Sequence, residues 1–333
     1  MEVVNLSIAD ALRISTNALK KSGTPERNAE ITARALVRAE IDGQKGHGLS
    51  RVPSYAVQVR SGKVNGHASP VLEQVKPGLL RINAGFGFAY PAIDMALPAL
   101  AKRAQKLGIA AAAIYHSHHF GVAGHPCEDL ARQGYVAFVY GNTPAAMAPY
   151  GATKKAIGTN PIACAAPFDH NPIVIDFALS YAARGKIMAA KQAGKSIPEG
   201  WALGPDGKPT TDAEIALQGS VIPIAGAKGA ALALMVEIMS GCLAGAALGF
   251  GASSLFEGDG APPNLSQILL AIDAGTLSGG GFGERIKELA HIYDSIEGAR
   301  FPGQKRLLNR KESAENGLNI PFALIEEIKE LAQ

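Results

Sequence analysis

The sequence predicts an α/β protein in which a helical N-terminal unit precedes a sheet covered by helices. Three observations predict it. Apolar residues recur at helical spacing through the first seventy or so positions. From Val71 onward, short apolar runs bounded by Gly and Pro alternate with helical stretches. The run Ile109–Tyr115, a glycine-containing turn, a helix near 124–133 and the run Tyr135–Tyr140 have the layout of a βαβ unit. No complete GxGxxG occurs, so the usual dinucleotide fingerprint is absent.

Composition narrows the class. The chain has 333 residues, 47% hydrophobic and 18% charged, enough for a large core and two or three structural units. A net charge of +3 without a basic run, and only 6% aromatics, argue against nucleic acid as a partner. Cys127, Cys164 and Cys242 are scattered and form no CxxC, which fits a reducing compartment. Met1 to Arg13 has no basic-then-apolar leader pattern, so a cytoplasmic location is expected. The apolar run Ala230–Gly251 is long enough to consider as a membrane span. Glu237 within it, and its Gly/Ala content, read better as one or two interior helices, so no membrane is expected.

In order, Ser7 to Asp10 has capping-box form and opens a helix to about Lys21. Gly23 breaks it, and Thr24-Pro25-Glu26 opens the next, with Thr24 as N-cap. A further helix runs through Pro53, Tyr55, Val57 and Val59 to Gly62. Val71–Val75 and Leu79–Asn83 read as a hairpin, Pro91–Leu107 as a helix closed by Gly108. Ile162–Ala166, Val174–Ala178 and Leu269–Asp273 read as strands, and Arg184 to Ala193 as a helix. Ile197–Asp212 reads as a turn-rich loop and Ser278–Gly283 as a flexible one. Gly283–Ser295 and Pro321–Leu331 read as helices, with a basic turn over Arg300–Arg306 between them.

Between the second and third helices, Gly46-His47-Gly48 and Arg51 place an imidazole and a guanidinium four residues apart. Arginine holds a carboxylate through two parallel hydrogen bonds, and histidine exchanges a proton near neutral pH. The pair therefore fits a small carboxylic acid whose neighbouring atom gains or loses a proton; a helix cap with a surface histidine has the same local pattern. The cluster His116, His118, His119 and His125 is open to three readings: contact with a ligand phosphate, simple packing, or a metal. Asp176 lies in an apolar run and must be paired or functional. Gly226-Ala227-Lys228-Gly229 at a helix start suits an anion, although its spacing is not that of a P-loop.

Taken in order, Gly46-His47-Gly48 with Arg51, Ser117-His118-His119-Phe120-Gly121, Gly158-Thr159-Asn160-Pro161, Asp176, Gly185-Lys186, Ile197-Pro198-Glu199-Gly200-Trp201, Pro209-Thr210-Thr211-Asp212, Gly229 and Arg300-Phe301-Pro302-Gly303 resemble the type-2 malate/L-lactate dehydrogenase family over nearly the whole chain. Gly226–Glu237 and Ala252-Ser253-Ser254 look most like its Δ1-piperideine-2-carboxylate/Δ1-pyrroline-2-carboxylate reductase branch.

The resemblance implies a non-Rossmann fold: a large mixed sheet covered by helices (76–283), with N-terminal (1–75) and C-terminal (284–333) helical segments packed together. It implies a homodimer that reduces a 2-imino or 2-oxo acid with NADPH or NADH. His47 would donate the proton, and Arg51, Thr159, Arg184 and Gly185 would lie at the substrate. His118, His119, Phe120, Gly121, Val122, Asp176, Phe177, Ala178, Lys228, Gly229, Arg300, Pro302, Gly303 and Arg306 would hold the cofactor, with no metal. Cyclic imines stand first as substrate and open-chain 2-oxo acids second. The chain departs from the family at Gly46, where a serine usually precedes the histidine, and at Gln304, where an acid is frequent.

Overall fold

The computed structural model describes residues 2–333. Strand β1 (Val3–Leu6) leads into α1 (Ile8–Lys21), whose Ser7 cap accepts from the Asp10 amide at 3.0 Å, as the capping-box pattern predicts. Helix α2 (Glu26–Ile41) starts one residue later than expected. Pro25, not Thr24, is its N-cap, and the Thr24 hydroxyl is buried without a partner. Proline's fixed φ starts the helix without a side-chain cap. After the loop bearing His47 comes α3 (Val52–Arg60).

The hairpin β2 (Val71–Lys76) and β3 (Leu79–Asn83) forms as predicted, followed by α4 (Ala89–Leu107). Gly108 ends α4 in the left-handed region (φ 82°), where a side chain would be strained. Next come β4 (Ile109–Ser117), α5 (Gly124–Ala131), β5 (Tyr135–Gly141), β6 (Ile162–Ala166), β7 (Ile173–Phe177) and α6 (Arg184–Gln192). The stretch expected as an irregular loop instead holds β8 (Ala202–Leu203) and β9 (Pro209–Thr210). With β10 (Ser220–Val221), beyond α7 (Ala213–Gln218), they form a small sheet. Two-residue strands carry no periodicity to read.

Helix α8 (Ala227–Glu237) runs straight into a π-helical turn, Ile238–Cys242, so the apolar run is one bulged helix. Among the described residues no helix is long and apolar enough to cross a membrane. Then follow β11 (Leu265–Asp273), α9 (Ala274–Leu277), α10 (Phe282–Ser295), α11 (Gln304–Asn316), β12 (Leu318–Pro321) and α12 (Phe322–Leu331). Ser278–Gly281 is the expected loop, in turn conformation, with α10 starting at Phe282; the basic turn, in contrast, is cut short because Gln304–Arg306 open α11.

The main sheet is seven-stranded and mixed, in the order β2-β3-β4-β11-β5-β6-β7. Only β3 and β4 pair in parallel. The expected unit from Ile109 to Tyr140 is therefore not a paired βαβ: β11 lies between β4 and β5, antiparallel to both, with Ile268 opposite Ala113 and Tyr140. The paired unit is β3-α4-β4. Alanines on β4, β5, β6 and β11 let α4 and α5 pack closely on this sheet. A second core joins α1, α2 and α3 to β12 and α12, and β1 pairs with β12, so the two ends of the chain meet. A third core unites α6, α7, α8 and the small sheet.

The pieces are tied by a buried ion cluster. Arg310 on α11 grips Asp42, just past α2, at 2.6 and 2.8 Å, and Glu128 on α5 at the same distances. His125 bonds Asp42 at 2.9 Å, and Arg38 and Arg132 add to Glu128. Against the opposing pull of burial, His125 and Arg310 hold the Asp42 carboxyl, and Arg310, Arg132 and Arg38 the Glu128 carboxyl, below the usual carboxylate range. Removing one partner of such a pair strands buried charge. Arg310→Met is expected to cost about 3 kcal/mol, read as a lowered urea midpoint; an unchanged midpoint would show that the cluster holds nothing together.

Candidate active site

The loop between α2 and α3 folds as two short 3-10 turns, Lys45–His47 and Leu49–Arg51. The buried Glu40 carboxylate accepts from the Leu49 amide at 3.0 Å, and any side chain at Gly48 would collide with it. Glycine is thus required for packing there. Arg51 donates through Nε to the Gly46 carbonyl at 2.8 Å and lies 5.4 Å from the Phe256 ring centroid, which leaves its terminal nitrogens for a ligand.

His47 is held from one side only. Its Nδ1 lies 3.1 Å from His119 Nε2, with the two rings stacked at 5.1 Å. His119 Nδ1 lies 2.6 Å from the Tyr55 hydroxyl, which lies 3.2 Å from that of Tyr90. Burial and the charge of Arg51 push the pKa of His47 down to about 4 and that of His118 to about 3. Burial likewise lowers His119, and pushes Tyr55 up to about 12. Near pH 7 the whole chain of groups is uncharged.

The four clustered histidines separate. His116 bonds Asn83 and stacks on Phe86; His118 is buried edge-on against Tyr55 and Phe88 with both ring nitrogens unpartnered. His119 meets His47, and His125 meets Asp42. Among the described residues no group of three or more His, Cys, Asp or Glu side chains is placed to hold a metal. Phe120 and Val122 are core residues, and Gly121 abuts the Tyr90 hydroxyl. Of the run 118–122, only the His119 side chain bonds to His47.

Thr159 is positioned from below. Its amide donates to Thr143 Oγ1 at 2.9 Å. The next residue, Asn160, has a left-handed φ of 38° and donates to the Ala233 carbonyl and, at 2.8 Å, to buried Glu237. Glu237 also accepts from the Gly249 amide, so the charge that argued against a membrane span anchors this loop to α8. Beyond α3, five side-chain donations converge on carbonyls of the segment 255–259: two from Gln58, one from Ser61 and two from fully buried Lys63. They fix Phe256 against Arg51 and Glu257 near Arg184, whose Nε is buried without a partner. Gly185, next to Arg184, is exposed with open space around it.

The other expected cofactor residues gather at two places. Asp176 accepts from the Gly124 amide at the start of α5 at 2.8 Å; burial raises its pKa, and the charge of Arg306 opposes this. Phe177 is exposed and Ala178 half-buried beyond it. Arg306 is buried with its Nε lacking a hydrogen bond, 3.7 Å from Asp42, and Gly303 lies against its guanidinium in a left-handed turn (φ 89°). Arg300 and Pro302 are exposed on that turn, which Phe301 pins by stacking on Tyr293. Lys228 is exposed at the start of α8, where the Ile224 carbonyl leaves no room for a side chain at Gly229. A buried guanidinium whose Nε makes no hydrogen bond, beside a glycine turn, fits a phosphate-bearing cofactor.

Sequence reasoning missed Tyr55, Tyr90, Glu237 and the Gln58–Lys63 clamp as site residues. One signal was available: His47, Arg51 and Tyr55 recur every four residues, which puts the latter two on adjacent turns.

A family model described as malate/L-lactate dehydrogenase matches residues 6–329. A protein named (2R)-3-sulfolactate dehydrogenase (NADP+) from Chromohalobacter salexigens is 46% identical over 98% of both chains. A Δ1-pyrroline-2-carboxylate reductase from Ancylobacter novellus is 38% identical over 99% of this chain and 98% of its own. The crystal structure of Δ1-piperideine-2-carboxylate reductase from Pseudomonas syringae superposes with a TM-score of 0.93 at 34% identity, over 98% of this chain and 99% of that one.

The depressed histidines have a consequence for stability. His47, His118, His119 and His125 all have folded-state pKa values below the ordinary 6.5, so between that value and about 4 the unfolded chain binds more protons. Stability should be full at about pH 7 and fall steadily by about pH 5. Urea midpoints measured at both check this, and equal midpoints would contradict it.

Proposed function

Because the chain belongs to the malate/L-lactate dehydrogenase family of NAD(P)-dependent oxidoreductases, we propose that it interconverts a small 2-oxo acid carrying a second anionic group with the matching 2-hydroxy acid, using NADPH. The observation that carries this reading is the pair of guanidinium groups linked by the Phe256–Glu257 step. Arg51 lies against Phe256, and Arg184 feels the charge of Glu257. Lys155 is near enough to Arg184 for its own pKa to be lowered, first by burial and then by that charge. Even with Glu257 offsetting one of the three cations Arg51, Arg184 and Lys155, the positive charge exceeds what one carboxylate needs, as expected for a substrate with a carboxylate at one end and a sulfonate or second carboxylate at the other. The 46%-identical relative, named for sulfolactate and NADP+, supports the same class.

In this reading Arg51 takes the carboxylate through its free terminal nitrogens, Thr159 borders the reacting carbon and His47 presents Nε2 to the substrate oxygen. Arg306, Arg300, Lys228 and the Pro302–Gly303 turn would hold the cofactor phosphates, with NADH a weaker alternative. NADPH supplies the hydride when bound. The enclosure made by the 255–259 segment holds the acceptor carbon and the proton donor in one geometry, where much of the rate should arise.

A second reading keeps the same residues and replaces the substrate with a cyclic 2-imino acid, Δ1-pyrroline- or Δ1-piperideine-2-carboxylate, giving L-proline or L-pipecolate. The 38%-identical relative bears such a name, and Phe256 would wall an apolar ring. NADPH and NADH oxidation with 3-sulfopyruvate, oxaloacetate, pyruvate and both imines separates the two. Turnover led by the dianionic acids is expected, and turnover of the imines alone would replace the first reading with the second. His47→Ala should lower kcat by about 100-fold or more, whereas Arg51→Ala should chiefly raise KM; a fully active His47→Ala protein would remove the proton-donor role.

We further infer a homodimer. Helix α8 buries Ala230, Ala233, Val236 and Glu237 but leaves Leu232, Leu234, Met235 and Ile238 exposed, with Leu243 beyond them. A helix apolar on both faces needs a second cover. Light scattering should give twice 34.5 kDa, and Leu234→Asp with Ile238→Asp should give the single-chain mass; a monomeric wild-type protein would refute the interface.

A further inference from the structure

We propose that Tyr55 is the proton reservoir behind His47, passing its phenolic proton to the substrate through His119 and His47 in turn. The inference rests on His47 as the donor that touches substrate and adds where its proton comes from.

Geometry carries it. Three contacts, of 3.1, 2.6 and 3.2 Å, join His47, His119, Tyr55 and Tyr90 in one unbranched chain. Each neutral imidazole carries a single N–H, so the chain has one polarity that arms His47. Tyr90 donates to the Tyr55 oxygen, Tyr55 donates to His119 Nδ1, His119 Nε2–H donates to His47 Nδ1, and His47 is left with its proton on Nε2. A neutral imidazole presenting N–H can serve an electrophilic role without first becoming imidazolium. Alone, it would have to leave as an imidazole anion. The chain removes that need.

The step balances. The His47 Nε2–H bond breaks as the substrate O–H bond forms. His47 Nδ1 gains the proton from His119 Nε2, and His119 Nδ1 gains the proton from Tyr55. The net change is one proton from Tyr55 to the substrate, leaving a phenolate that accepts from the Tyr90 hydroxyl and from His119 Nδ1–H; once product leaves, a proton from water enters at His47 Nε2 and runs the chain backward, restoring Tyr55 and both tautomers. The charged and titratable neighbours favour this route over an imidazolium. Burial disfavours charge on all three groups and pushes Tyr55 up to about 12; from the α2–α3 loop, Arg51 further opposes positive charge on His47 and His119 but offsets part of the burial effect on Tyr55. From α5, His125 adds to the effect on His47, and His118 beside β4 adds to that on His119. Gly46 offers no side chain to His47, and among the described residues His119 is the side chain that hydrogen-bonds its ring.

The test is the pH dependence of the single-turnover reduction rate with saturating NADPH and substrate. Wild-type protein should be flat from about pH 6 to 8, because no imidazolium is needed. Tyr55→Phe keeps the ring but not the proton. It should be about 10-fold or more slower near pH 7 and lose about 10-fold per further pH unit, since it must rely on His47 imidazolium. His119→Gln, which keeps an N–H toward His47 but cannot pass a proton, should show the same slope. NADPH affinity by fluorescence titration confirms that each variant is folded. A flat profile in either folded variant, or a sloping one in wild type, overturns the relay. His47→Ala separates the two claims: if it is inactive while Tyr55→Phe stays flat, His47 stands as donor and only the reservoir falls.

Discussion

The bidentate grip of Arg310 on two carboxylates at once is the contact on which the site depends. Asp42 ends α2 and starts the loop that carries His47; Glu128 lies on α5, just after the turn that carries His119. By fixing both carboxylates, and through His125 fixing α5 to Asp42 again, one guanidinium from α11 sets the distance between the two histidines. Arginine suits this because its planar fork satisfies two carboxylates without torsional freedom, which a lysine could not do. The C-terminal segment is therefore the brace of a site made elsewhere in the chain.

A similar logic holds the segments proposed to border the substrate. Thr159 and the 255–259 segment are irregular backbone, and irregular backbone near a site needs partners for its polar groups. Glu237 supplies them to Asn160 and Gly249 from inside an apolar helix, and Gln58, Ser61 and Lys63 supply them to the segment under Phe256. The π-helical turn begins directly after Glu237, and the Ser240 carbonyl within it accepts from Ser266 on β11. The extra residue of the turn lets α8 satisfy the loop on one side and the sheet on the other.

Elements with strong local signals were legible in the sequence. The Ser7 cap, the Gly108 stop, the 71–83 hairpin and the strand at 162–166 all depend on neighbouring residues alone. Sheet order was not legible, because β11 enters between β4 and β5 from far along the chain and nothing in Ile109–Tyr140 records it. The small sheet was lost to strand length, and β1 with β12 because each is short and stabilised only by the other. At the site, His47 and Arg51 stood out by residue type and spacing. Tyr55, Tyr90 and Lys63 did not, since a buried tyrosine or lysine looks like core or surface until its partners are known. Asp176 was correctly singled out as a carboxylate in need of a partner, and that partner is a backbone amide.

The site contains a conflict that its architecture resolves. A carboxylate substrate calls for Arg51, yet the same positive charge, with burial, pushes the pKa of His47 to about 4 and removes the imidazolium that proton donation would ordinarily use. Moving the arginine away would recover the acid and lose the substrate. Placing a carboxylate behind His47 would recover the acid but add negative charge beside an anionic ligand. A chain of uncharged donors avoids both costs: it delivers a proton through His47 while the site stays net positive toward the substrate. The phenol at its far end is held neutral by burial, which pushes its pKa up to about 12, and the arginine that discourages imidazolium works against that push as the proton leaves.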